Sequence, residues 1–396
     1  MSQRLVDLNP DLRRLRDVGY SVDVWEREGY LVVRDVPYVT SEMKVSQGVL
    51  ISELTLNGDI TGRPSTHVIH FAGDFPCYHT GRPLEPLRHQ SSSQPIGRGL
   101  VSNHSFSNKP KPEGFDNYFD KIHHYASVLS HQARAIEPSA SPMSFSPILP
   151  EGDDTVFNYI DTASSRAGIS AINAKLMLSS VAIIGLGGTG SYILDLIAKT
   201  PVKEIHLFDG DKFLQHNAFR TPGAPSLTDL QRNLYKVDYL KEIYARMHRG
   251  IVAHPRFMGR PDLNALEGMA FTFICMDAGP AKKSIIEHLV EHSKSFIDVG
   301  LGVEIAEDML TGVTRVTTST PSAQDHIKTT VSFADVNADD AYRRNIQIAD
   351  LNALNAALAV IRWKKLMGFY FDPRPTFNTI FSISGGELIS DAAGRG

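Results

Sequence analysis

Cysteine is nearly absent: two of the 396 residues, Cys77 and Cys275. Two thiols so far apart exclude a disulfide framework and a four-cysteine zinc ribbon. Neither charge sign dominates, because 40 Lys+Arg stand against 44 Asp+Glu and the formal net charge is −4. That balance argues against a dedicated nucleic-acid binder or a protein held on an anionic membrane. No apolar run approaches the ~18 residues that a membrane span needs. The start, MSQRLVDLNPDLRRLRDVGY, mixes both charges with leucines. It lacks the apolar core of about 7–15 residues that marks a secretory signal, so the cytoplasm is the expected location.

Hydrophobic residues make up 42% of the chain and charged residues 21%, which is ordinary for a chain that buries a core. At about 150 residues per domain, the length predicts two or three domains. The stretch Ala135 to Asp154 holds four prolines, Pro138, Pro142, Pro147 and Pro150. Proline fixes φ and removes a donor, so this stretch reads as an extended linker. The expected division is a smaller α+β domain over 1–140, to which the residues assign no chemistry, and a second domain over 155–396. The first half reads as a short helix at Asp11 to Val18, strands at Tyr30–Val33, Val49–Ser52 and Thr66–Phe71, and a helix at Asp116 to His131.

In the second half strands and helices alternate. The strands fall at Val181–Ile184, Glu204–Phe208, Phe271–Cys275 and Ser295–Val299. The helices fall at Gly190–Lys199, Lys236–His248 and Ala281–Ser293. A longer helix, Ile346 to Leu366, places Leu351, Leu354, Leu358 and Ile361 on one stripe. The pattern predicts an α/β fold with a doubly wound, mostly parallel sheet.

Directly after the first of these strands comes Gly185-Leu186-Gly187-Gly188-Thr189-Gly190, opening a helix. Glycines let a backbone approach a phosphate, and a helix N-terminus offers free N–H groups at the positive end of its dipole. Asp209 ends the second strand, where a carboxylate can accept hydrogen bonds from a ribose. On this evidence a dinucleotide such as NAD and ATP both fit.

The residues after Asp209 separate them. They are Gly210-Asp211, then Asn217 and Arg220, Lys236 opening the next helix, and Asp277 after the third strand. This order, over roughly Ser165 to Val316, resembles the ubiquitin-activating-enzyme-like superfamily, which includes ThiF and MoeB. The resemblance implies a Rossmann-like ThiF fold that adenylates the C-terminal glycine of a ubiquitin-like protein. It implies a nucleotide site of Gly185, Gly187, Gly188, Gly190, Asp209 and Asp211, with Asp209 on the ribose. Asn217, Arg220 and Lys236 would hold the phosphates and Asp277 would bind Mg²⁺. It also implies that Arg166, upstream of the first strand, reaches the nucleotide of a partner subunit in a homodimer. A triphosphate needs cations and a hard Mg²⁺ ion needs a carboxylate, so Arg220 and Lys236 favour ATP over a dinucleotide. The C-terminal helix resembles that of bacterial ThiF-type proteins from ubiquitin-like conjugation operons.

The chain departs from the family at the transfer step. The region Gly312 to Asp325, where relatives carry a transfer cysteine in a loop, has none, and the zinc-binding Cys-x-x-Cys pairs are missing. Pro321-Ser322 stands where relatives show Pro-Cys, so Ser322, with Ser319 as the second choice, is the candidate for an oxyester. Asp325 and His326 lie nearby, and a serine needs a base. Cys275 reads as a buried structural thiol. His67, His70, Cys77 and His79 match no zinc spacing. The expectation is an ATP- and Mg²⁺-dependent adenylyltransferase acting on a ubiquitin-like protein, with a conjugating enzyme as a further partner. Its rivals are an NAD(P)-binding oxidoreductase and a non-catalytic scaffold on the same fold.

Overall fold

The computed structural model describes residues 2–150, 155–333 and 346–391; the linker's last residues, 151–154, lie outside this range. The chain divides into two compact units, Met1–Gly152 and Asp153–Gly396. No helix among the described residues is long and apolar enough to cross a membrane.

The first unit opens with helices α1 (Ser2–Leu8) and α2 (Pro10–Asp17). Strands β1 (Ser21–Trp25), β2 (Tyr30–Val39), β3 (Val45–Glu53), β4 (Ile69–Ala72), β5 (Arg88–Gly97) and β6 (Leu100–Phe106) follow. They form one sheet in the order β1-β2-β3-β4-β6-β5. Every pairing in it is antiparallel. Alternation decides which side is buried: Ile69 and Phe71 of β4 point into the core, while the residues between them are half-buried. Helix α3 (Tyr118–Arg134) is capped by Asn117, whose side chain accepts from the Asp120 amide. It lays Ile122, Tyr125, Ala126 and Leu129 on a core that includes Leu31, Val33, Leu50 and Phe71. The expected helix and strand positions in this half all fall within or beside observed elements. The proline stretch has no regular structure, yet it is held to this unit: Met143 bridges to Tyr20, and the Phe145 amide donates to the Gly19 carbonyl at 3.0 Å.

The second unit contains the predicted α/β sheet. Its strands are β7 (Ser180–Ile184), β8 (Glu204–Phe208), β9 (Ile251–His254), β10 (Phe271–Ile274), β11 (Phe296–Ala306), β12 (Met309–Ser319), β13 (Asn378–Ser382) and β14 (Glu387–Asp391). Their order is β9-β8-β7-β10-β11-β12-β13-β14. The pairings from β9 to β11 are parallel and those from β11 to β14 antiparallel. The main helices are α4 (Gly188–Ile197), α5 (Lys236–Tyr244), α6 (Pro280–Glu291) and α7 (Ala349–Leu366).

Strand β7 is buried throughout, so its alternate residues feed two cores. Val181 and Ile183 join Ile193, Leu194 and Ile197 of α4 and Ala356, Val360 and Trp363 of α7. Ala182 and Ile184 join Phe208, Ile274 and Ile285, Ile286 and Leu289 of α6.

Two expectations are corrected here. The stripe Leu351, Leu354, Leu358 and Ile361 is not the buried face of α7. Of the stripe only Leu351 is buried; Leu354 and Leu358 are half-buried and Ile361 is 43% exposed, whereas Asn352, Asn355, Ala356, Ala359 and Trp363 are buried. Small residues let α7 lie close to α4, and the Asn352 side chain fills space left by Gly188. The second correction concerns the expected loop at Gly312 to Asp325. Strand β11 runs past Val299 and turns back at Glu307 and Asp308, both with positive φ (50° and 60°), into β12. That is the two-residue hairpin connection whose twist suits antiparallel strands. Residues 312–319 are therefore strand, and Ser319 is fully buried at its end.

Candidate functional site

The strand order reverses at β7, which has β8 on one side and β10 on the other. Crevices at the carboxyl ends of strands beside such a reversal are where open α/β sheets bind ligands. Register brings three loops together there. Ile184 pairs with both Phe208 and Ile274, so Gly185, Asp209 and Cys275 emerge side by side. The Gly185 amide donates to the Phe208 carbonyl at 2.8 Å, and the Cys275 amide donates to the Ile184 carbonyl at 2.7 Å.

The glycines of the loop serve different ends. Gly185 has φ +89°, and a Cβ there would lie 2.6 Å from the Cys275 carbonyl oxygen. A Cβ at Gly188 would meet the Asn352 amide at 2.0 Å, and one at Gly190 would meet the Gly185 carbonyl oxygen at 1.9 Å. Gly187 is different, since its nearest neighbour would be the Gln347 Oε1 at 3.9 Å. Packing therefore requires three of the glycines, while Gly187 leaves open space on the ligand side. Gln347 stands over this loop and accepts from the Gly188 amide at 3.3 Å.

Beneath the loop lies a cleft of about 930 Å³, lined by Gly185, Gly187, Asp209, Asp211, Arg220 and Lys236 and walled further by Phe257, Met258 and Asp277. Buried Asp209 anchors its floor by accepting from the Leu186 amide at 2.7 Å and the Asp211 amide at 2.8 Å. Lys236 opens α5, and its Nζ bonds Asp211 at 2.6 Å and lies 3.7 Å from Asp209. Asn217 is buried; its Oδ1 accepts from the Leu214 amide at 2.8 Å, but among the described residues its Nδ2 has no partner. The buried Nε of Arg220 likewise has none among them. Unpaired donors in a buried position are costly unless a ligand or water takes them. The field here is positive: burial together with the Arg220 and Lys236 cations pushes His216 below the ordinary histidine range.

Asp277 follows β10 at the cleft mouth and also borders a second cavity of about 300 Å³. That cavity is lined by Gly188, Lys282, Val299, Gly300, Gly302 and Arg315. Two of these lining residues are held by Asp298, which is fully buried and pairs with Lys282 at 2.6 Å and with Arg315 at 2.6 Å. Cys275 sits between the two cavities, and burial pushes its thiol well above the usual range.

Of the residues expected from sequence, Gly185, Gly187, Asp209, Asp211, Arg220, Lys236 and Asp277 line one cleft and Gly188 borders its neighbour, while Asn217 is buried and lines neither. Gly190 acts through packing alone. Arg166 is exposed at the end of a short helix, Thr162–Arg166, and does not line the cleft. Ser322 is exposed in a turn beyond β12, with its hydroxyl 3.2 Å from that of Thr320. The nearby His326 has its Nε2 engaged with the Thr318 carbonyl at 2.8 Å. Sequence reasoning missed Phe257, Gln347 and the Lys282–Asp298–Arg315 cluster. A lone Phe or Gln far from any motif carries no local signal, and the cluster forms only when β11 and β12 pair.

Comparison with known proteins agrees with this architecture. Residues 161–304 match the model of the ThiF family, and residues 10–162 match a domain of unknown function, DUF6791. No curated protein matches the sequence. Among solved structures, E. coli MccB with MccA-N7isoASN is 18% identical over 57% of this chain and 67% of that one, with TM-score 0.46. The microcin C7 biosynthetic enzyme MccB in complex with N-formylated MccA is 16% identical over 78% of this chain and 96% of that one, with TM-score 0.47. PaaA is 19% identical over 56% of this chain and 75% of that one, with TM-score 0.43. Residues 161–304, which carry the glycine loop and most of the cleft lining, match the ThiF family, and the segment before them matches DUF6791.

Proposed function

We propose that the second unit binds ATP and adenylates the C-terminal carboxylate of a ubiquitin-like protein. The observation that carries this reading is the cleft itself. It combines a glycine loop open at Gly187, two cations, and a buried Arg220 Nε that has no partner among the described residues. Such a site suits a polyphosphate, which offers many acceptors and a dense negative charge. The match of this segment to the ThiF family supports the same reading.

Asp209 and Asp211 sit at the end of β8, where the ribose end of the nucleotide belongs. Asp209 already accepts two backbone amides, and a carboxylate retains further lone pairs for a ribose hydroxyl. Arg220, Asn217 and Lys236 hold the phosphates. Asp277 is the hard oxygen donor suited to Mg²⁺, which when bound offsets phosphate charge.

In the reaction, a carboxylate oxygen of the substrate bonds to the α-phosphorus. The bond from that phosphorus to the bridging oxygen breaks, and pyrophosphate leaves with the electron pair. The chain contributes positioning and fixed positive charge, with no group of its own bonded to the substrate in this step. The acyl-adenylate is the product of this half-reaction.

A homodimer in which Arg166 completes the partner's site, a cytoplasmic location, a conjugating enzyme as a further partner, and an oxyester on Ser322 extend the reading. The oxyester requires a base other than the Nε2 of His326 in its present contact.

Thermal unfolding with ATP–Mg²⁺ and with NAD tests the nucleotide assignment. Stabilisation by ATP–Mg²⁺ supports it, and stabilisation by NAD alone overturns it in favour of an oxidoreductase. Pyrophosphate exchange driven by a ubiquitin-like protein encoded beside this chain, and lost in Asp277→Ala, supports the enzyme. Nucleotide binding without exchange favours a scaffold. Loss of a covalent cargo adduct in Ser322→Ala tests the oxyester.

A further inference from the structure

At the far end of α6 from the cleft, three side chains converge: Glu267, His288 and His292. One donor atom from each lies within 4.8 Å of the other two. We propose that these residues bind a divalent transition-metal ion of the zinc class.

Helix geometry explains the two imidazoles. His288 lies in the last turn of α6 and His292 caps it. A spacing of four residues puts both side chains on one face, the arrangement used by helical metal sites. Their ring centroids are 4.1 Å apart. Glu267 ends the neighbouring turn Arg260–Leu266. Its Oε1 lies 3.8 Å from the His292 Nε2. Donors around a tetrahedral zinc, with bonds of about 2.0–2.1 Å, stand about 3.3 Å apart. Small rotamer adjustments therefore close the set.

Two further observations point to a ligand. The His292 Nδ1 donates to the His288 carbonyl at 2.9 Å. That bond fixes the tautomer and leaves Nε2 with its lone pair facing the cluster, as outer-shell carbonyls do for metal-bound histidines. The His288 Nε2 is buried and has no hydrogen-bond partner among the described residues. A cation also suits the C-terminus of a helix, where the dipole is negative. Lys294 reaches the backbone carbonyl of Glu267 and leaves its carboxylate to the cluster.

Two nitrogens and one carboxylate oxygen form a set that suits Zn²⁺ better than Mg²⁺ or Ca²⁺, with the fourth position left to water. The ion would join α6, which begins just after Asp277, to the segment bearing Phe257 and Met258 of the cleft wall. The site is independent of the nucleotide reading, because no ligand is shared with the cleft.

The full chain, stripped with EDTA and exchanged into chelator-free buffer, is titrated with Zn²⁺ by calorimetry. Saturation at one ion per chain is expected, with a rise in melting temperature. Loss of an outer-shell partner alone costs about 10–100-fold in metal affinity, so His292→Ala and Glu267→Gln, both at exposed positions, should each weaken binding by about 100-fold. Their metal-free melting temperatures should match that of the metal-free parent. The His254→Ala variant is the control, because the His254 Nε2 is already bonded to His206 at 3.1 Å; it should bind Zn²⁺ as the parent does. Failure to saturate at one ion, or equal affinity in His292→Ala and the parent, would overturn the proposal, as would loss of binding in His254→Ala.

Discussion

The sharpest prediction contrasts two alanines three positions apart, Gly187→Ala and Gly190→Ala. Gly190 lies in the first turn of α4, where alanine in place of glycine would ordinarily stabilise by about 0.5–1 kcal/mol. Here the added methyl would lie 1.9 Å from the Gly185 carbonyl oxygen. That oxygen cannot step aside easily, because the Gly185 amide is tied to Phe208 and the Cys275 backbone abuts it. Overpacking of this kind costs about 1–3 kcal/mol or more. Less the ordinary gain, a net loss of about 1–2 kcal/mol in a unit of this size lowers the melting temperature by about 2–8 °C.

Gly187 has no atom within 3.9 Å of its virtual Cβ. The apo variant should stay within about 1 kcal/mol of the parent. Its methyl projects where phosphate must approach, so ATP affinity should fall about 10–100-fold, or about 1.4–2.8 kcal/mol. Melting without ligand followed by ATP–Mg²⁺ titration separates the two effects. Normal ATP binding by Gly187→Ala, or a Gly190→Ala protein as stable as the parent, would refute the reasoning.

Three other substitutions probe the surroundings. Asp298→Asn removes the carboxylate between Lys282 and Arg315 and leaves buried charge uncompensated; a loss of about 3–5 kcal/mol is expected in urea unfolding. Phe257→Ala removes a 70% exposed ring at the cleft mouth. It should weaken ATP by about 0.5–1.5 kcal/mol, the worth of a stacked aromatic pair, while leaving apo stability unchanged. Lys121 is fully buried, bonded to Ser52 and Thr66 at 2.9 Å, and desolvation pushes it down from 10.5 to about 8. Between those values the unfolded chain holds a proton that the folded chain has released, so stability of the first unit rises with pH across that window. The gain is about 3 kcal/mol. Unfolding of Lys121→Met, followed at pH 7 and pH 10 beside the parent, should lack that rise; an identical pH response in the two proteins would exclude the assignment.

The parallel half of the sheet, which bears the cleft, was legible because its signals are local. A buried apolar strand, a glycine loop, a helix and an acid at the next strand end follow one another within about thirty residues, each fixed by backbone sterics or hydrogen-bond supply. Asn217, Arg220 and Lys236 were singled out by the family resemblance of the stretch after Asp209; Arg220 and Lys236 line the cleft, and Asn217 is buried and does not line it. The face of α7 was misread because leucine periodicity reports apolarity alone. The buried face there was chosen by how closely α7 approaches α4, which favours Asn352, Ala356 and Ala359 over larger side chains.

By itself, then, the sequence determined the α/β alternation, the glycine loop and the acidic and basic residues that belong beside it, because these depend on neighbours within a few turns of chain. Tertiary structure alone decided which glycines serve packing and which leaves room for a ligand. It also decided that residues 312–319 are strand, and that Phe257, Gln347 and Asp298 border or support the site. Several of those outcomes rest on contacts between groups distant in the chain, such as Gly188 with Asn352, Gly185 with Cys275 and Gly188 with Gln347, and no local pattern encodes the distance at which two such groups meet.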